Sequence, residues 1–139
     1  MSPRARQSMV AAFALAALAA CAGEKKSALE PTSAVPAAEG QVRSERTEEG
    51  NTKLEVEVKH LAPPAKVAPG AEVYIVWAQR DDKTAGPQNI GALTVDKDRK
   101  GKLQTLTPLD RFEVFVTPEP SANATEPTNE PVMRSHVGP

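Results

Sequence analysis

From about residue 52 the chain alternates. Leu54, Val56 and Val58 are apolar, and Glu55, Glu57 and Lys59 between them are polar. Period two with one wet face predicts a half-buried strand. Pro63, Pro64 and Pro69-Gly70 end it in a loop. Val73 to Ala78 is apolar at both parities and rich in β-branched and aromatic residues. It reads as a central strand covered on both sides. Residues 80–88 are polar and carry Gly86-Pro87, which marks a loop. A further strand is expected over 90–95, then a charged turn over 96–101 with a positive φ at Gly101. Residues 102–106 would return antiparallel and close a hairpin. Phe112, Val114 and Val116 alternate again, although Phe115 makes the second face mixed. Residues 118–131 are a Pro/Asn/Thr loop, and 132–137 form a last, edge strand.

No stretch in this region keeps a helical period. Short strands separated by turn residues predict an all-β fold, a small antiparallel β-sandwich of the Ig-like kind, over residues 52–139. Its expected core is Leu54, Val56, Val58, Val73, Ile75, Trp77, Leu93, Val95, Leu103, Phe112, Val114 and Val116. Trp77 shares a parity with Val73 and Ile75 and is expected to anchor that core. Tyr74 points to the opposite face, its hydroxyl seeking a partner.

Residues 22 to about 50 look different. They are rich in Ala, Glu, Lys, Ser, Thr and Pro and almost lack large apolar side chains. Such a segment predicts a disordered tether, here 21–51, with a reach of roughly 30 Å.

The N-terminal residues add a location. Arg4 and Arg6 precede an apolar run from Met9 to Leu18, and Leu18-Ala19-Ala20-Cys21 ends in the chain's only cysteine. A basic start, a short apolar stretch and small residues before a cut make a secretory signal, residues 1–20. With Cys21 next, the segment resembles the lipobox of bacterial lipoproteins. That resemblance implies cleavage before Cys21 and its lipidation with diacylglyceryl and palmitate. An ordinary signal peptide with a cysteine near its cut is the alternative. Ala22 follows where an aspartate would favour the inner membrane, so the outer membrane is expected in a cell that has one. The ten-residue apolar run is too short to span a bilayer, which needs roughly 17–25 residues.

After cleavage 119 residues remain (139 − 20), with 15 basic (17 − 2) and 18 acidic, a net charge of −3. That balance argues against nucleic-acid binding. With no cysteine after Cys21, multi-cysteine zinc sites and disulfides are excluded from the domain.

The stretch from Tyr74 to Val132 resembles the extracytoplasmic C-terminal domain of anti-sigma-K factors. Tyr74-Ile75-Val76-Trp77 is similar to that family's Tyr-x-x-Trp strand. Ile90-Gly91-Ala92-Leu93 and the turn to Gly101 resemble its Gly-centred strand and hairpin. Val116-Thr117-Pro118-Glu119-Pro120, then Pro127-Thr128 and Pro131-Val132, resemble a strand end followed by a Pro-Thr loop. The resemblance implies a β-sandwich outside the cytoplasmic membrane, acting in sensing or protein interaction. Tyr74, Trp77, Gly91, Thr117, Glu119 and Pro120 carry it, with structural roles expected. The family's sigma-binding domain and transmembrane helix have no counterpart here, so sigma inhibition does not transfer.

No catalytic residue is assigned. Ser121 and Ser135 lack a nucleophile elbow, and the Asp81-Asp82 and Asp96/Asp98 pairs read as turn formers. Asn123-Ala124-Thr125 is a glycosylation sequon, uninformative in a bacterial lipoprotein. The expected function is a non-catalytic interaction or sensing module, without cofactor, held to the membrane by its lipid and partnered by another envelope protein. The alternative is copper handling through His60, Met133 and His136, which requires those side chains to meet.

Overall fold

The computed structural model describes residues 23–138. Nine strands and one short helix follow in order: β1 (Lys25–Ala28), β2 (Glu30–Pro31), β3 (Glu39–Arg46), β4 (Thr52–Lys59), α1 (Pro64–Val67), β5 (Val73–Arg80), β6 (Gln88–Leu93), β7 (Gly101–Thr107), β8 (Phe112–Glu119) and β9 (Met133–Val137). One sheet runs β1-β3-β4-β7 and the other β2-β9-β8-β5-β6. Every pairing is antiparallel. The fold is an all-β, two-sheet sandwich.

The expected tether is corrected. Residues 25–46 contribute three strands, and the domain begins near residue 24 rather than 52. Leu29, Val35, Ala38 and Val42 are buried in the inter-sheet core. Few apolar residues suffice because the chain changes sheets at Leu29, whose N–H donates to the Gly40 carbonyl. Gly40 leaves room for this. A Cβ there would lie 2.9 Å from both Leu29 Cβ and Met133 Cε, closer than packed carbons approach.

The alternating pattern of β4 places Thr52, Leu54, Val56 and Val58 in the core. The outer face of that sheet is a polar ladder. Arg43 and Lys102 lie 3.4–3.6 Å from Glu55 or Glu57. Gln104 and Gln41 donate to these carboxylates. Those amide hydrogen bonds first, then the neighbouring cations, hold both carboxyls below the usual range.

On β5 the parity of the core is reversed from expectation. Tyr74, Val76 and Ala78 face the other sheet. Ile75 and Trp77 are buried on the outer face with Phe115. Both parities of a doubly covered strand are apolar, so periodicity cannot say which one meets the second sheet. Val73, Val95 and Leu103 are only partly buried.

The expected β6–β7 hairpin is also corrected. β6 pairs with β5 and β7 with β4, so the connection crosses between sheets with a single bridge, Val95 to Gly101. The positive φ falls at Arg99 (61°), not Gly101. Asp96 Oδ1 accepts the N–H groups of Asp98 and Lys100 and sets this turn. β9 is second from its sheet edge, with β2 paired outside Met133 and Arg134.

Registers define two ends. Arg46 and Thr52 reach the Leu109 carbonyl, and Arg80, Phe112 and Val137 lie side by side. One end therefore gathers residues 47–51, 81–87 and 108–111. The other gathers residues 32–38, 60–72 and 94–100.

Candidate functional site

The residues with the most chemistry lie on the outer face of the five-stranded sheet. β8 turns Phe115, Thr117 and Glu119 outward, since Val114 and Val116 face the core. β5 places Trp77 beside Phe115, Ile75 beside Thr117 and Val73 beside Glu119. The indole stacks on the Phe115 ring at 6.5 Å between centroids and 20° between planes. Trp77 Nε1 donates to Thr117 Oγ1 at 2.8 Å. Thr117 Oγ1 then donates to Glu119 Oε2 at 2.8 Å. Glu119, fully buried, also accepts the Thr128 backbone N–H at 3.1 Å and the Thr128 hydroxyl.

A buried carboxylate needs donors on its lone pairs. Here they come from the loop that follows. Residues 120–131 leave β8, run across Ile75 and Trp77, and return to Glu119. Asn129 Nδ2 donates to the Pro118 carbonyl at 2.7 Å. Asn89 on β6 donates to the carbonyls of Ala122 and Ala124. Ala124 packs on the Ile75–Trp77–Phe115 cluster. The loop is a cover latched at its return by Glu119. Asn89 and Asn129 were not among the sequence candidates. Their roles depend on the path of the loop over the sheet, which the sequence pattern does not specify.

Tyr74 is fully buried in the core, and its hydroxyl donates to the Ala62 carbonyl at 2.6 Å. Desolvation pushes the phenol up to about 12 from an ordinary 10.0. The fold thus favours the neutral phenol, a contribution complete below pH 10 and lost as pH rises through about 12. Urea unfolding of Tyr74→Phe is expected to lack this alkaline limb, and to show a loss of about 1 kcal/mol at neutral pH. An identical alkaline limb in the variant would disprove the assignment.

Gly91 has φ 147°, and a Cβ there would meet Leu103 Cδ1 at 2.9 Å. It lets β6 approach β7 beside an irregularity in the β5–β6 register. Pro120 is exposed just past β8. Ser121 Oγ accepts the Asn123 N–H in a turn, and the buried Ser135 hydroxyl has no partner. Asp82 Oδ1 accepts from the Thr84 N–H and hydroxyl. Cys21 lies outside the described residues.

The three metal candidates do not converge. Met133 is fully buried in the core. His136 Nε2 sits 2.9 Å from both Asp81 oxygens, at the end with residues 81–87. His60, exposed with φ 56°, lies at the other end. Among the described residues no group of three or more His, Cys, Asp and Glu side chains could hold an ion.

At the end bearing residues 32–38 and 60–72 there is an open cleft of about 440 Å³. Thr32, Ser33, Val67, Asn129, Glu130 and Arg134 are among its walls.

No family model matches the sequence, and no curated protein matches it. Among solved structures, one described as the clock protein EA4 is similar, with a TM-score of 0.51 at 8% identity. The likeness covers 83% of this chain and 94% of that one. At this identity it concerns the fold alone. The chain is thus an antiparallel β-sandwich in which Trp77, Thr117 and Glu119 are engaged with one another, while Tyr74, Gly91 and Pro120 stand apart from them.

Proposed function

We propose that this protein is a lipid-anchored component of a bacterial cell envelope, attached through Cys21, and that it acts as a non-catalytic interaction or sensing module. The observation that carries the reading is the division of labour in the fold. Trp77, Thr117, Glu119 and Thr128 are spent on one another, while the longest loops gather around an open cleft at one end. A rigid sandwich that offers loops at one end suits recognition of another protein. The resemblance to the outer domain of anti-sigma-K factors points the same way. Ala22, where an aspartate would favour the inner membrane, favours the outer membrane in a cell that has one, and the mixed surface charge disfavours nucleic acid.

Cross-linking of the mature protein in its own membranes, followed by pull-down, tests this. A specific envelope partner is expected, captured with the native chain and lost with Cys21→Ala. A blank with the native chain, or capture that ignores the lipid, would count against an anchored interaction module.

A further inference from the structure

We propose that the sandwich stands directly on the bilayer, with the end formed by residues 47–51, 81–87 and 108–111 against the lipid headgroups and the cleft end facing away. This rests on lipid attachment at Cys21.

The argument begins with the length of free chain. Lys25 opens β1 opposite Ser44, and Glu24 lies 3.6 Å from Arg43. The chain is thus held by the sheet from Glu24 onward. Only three residue steps separate Glu24 from Cys21, a reach of at most about 11 Å. The polar headgroup layer is itself roughly 5–8 Å deep on each side of a bilayer. A lipidated Cys21 therefore leaves almost no gap between domain and membrane.

The strand direction then selects the end. Ser44 is two residues from the end of β3 at Arg46, and β1 runs antiparallel to β3. Glu24 therefore emerges beside the turn over residues 47–51. The cleft lies at the opposite end, about 25 Å away along eight-residue strands. Charge does not drive this placement. Exposed Arg46, Arg80, Lys83 and Arg111 at the near end face exposed Glu48, Glu49, Asp81, Asp82 and Asp110. The tether alone sets the geometry, so it is expected to persist in high salt.

The test uses single cysteines at exposed positions, Glu48→Cys at the near end and Lys66→Cys at the far end. The purified, lipidated full chain is placed in phosphatidylcholine vesicles and treated with a polymer-linked maleimide. The unlipidated Cys21→Ala versions give the reference rates. Lipidation should slow modification at position 48 several-fold and leave position 66 unchanged. A flexible Gly/Ser spacer of about twenty residues between Cys21 and Glu24, with a reach of roughly 25 Å, should restore position 48. Lipid confirmed by mass at Cys21 with both positions equally reactive, or equally slowed, would overturn the orientation and leave the anchor standing. Absence of lipid on Cys21 would overturn both.

Discussion

Trp77→Ala is expected to lose about 4 kcal/mol of stability, read as a fall in the urea midpoint by far-ultraviolet circular dichroism. The indole is fully buried, although it lies outside the inter-sheet core. Alanine would open a cavity between β5, Phe115 and the covering loop. It would also leave Thr117 without its donor. Small domains hold only about 5–15 kcal/mol in total, so this change threatens folding near body temperature. Trp77→Phe keeps most of the apolar area and removes the N–H, with an expected cost of about 1–2 kcal/mol. Equal losses in the two variants would show that the hydrogen bond, not the packing, dominates. Losses below about 1 kcal/mol in both would contradict burial under the loop.

Glu119→Ala is expected to cost about 3 kcal/mol, because hydrogen bonds to a charged acceptor are stronger than neutral ones. The change strips the acceptor from Thr117 and from both donors of Thr128. Glu119→Gln tests the charge separately. Its amide would aim an N–H₂ at a donor, so a loss of about 1–2 kcal/mol is expected. The loop should report the change first. Amide exchange at Thr128 should accelerate in both variants, while the amides of β4 stay protected. Unchanged exchange at Thr128 would show that Glu119 does not hold the loop down.

The alternation in β4 and β8 made the sandwich legible, because one polar face in water enforces period two. Leu54, Val56, Val58, Phe112, Val114 and Val116 lie in the core as their spacing implies. The N-terminal strands were hidden by their composition. On β3, Gly40, Val42 and Ser44 share the inner parity, and only Val42 is large. The close approach of Leu29 to Gly40 replaces side-chain bulk there, and no composition rule registers that. The crossing from β6 to β7 was obscured because a charged turn with Asp96 serves a hairpin or a sheet-to-sheet arch equally well. The Trp77–Thr117–Glu119–Thr128 chain was visible only as a set of motif residues. Their mutual contacts depend on the register of β5 against β8, a non-local property. His60 and His136 illustrate the reverse. A histidine at each position suits a metal, and strand direction puts the two at opposite ends.

The seating of β9 between β2 and β8 has a consequence for how the molecule is made. Pro31 pairs with Met133, partners separated by 102 positions (133 − 31). The five-stranded sheet therefore cannot close until residues 133–137 are available. Pairings of such long range also form slowly. A polypeptide threaded N-terminus first through a narrow translocation pore would leave β2 without its partner until β9 emerged. It would then pair β2 with β9 on the far side. In such a chain, late assembly is an advantage.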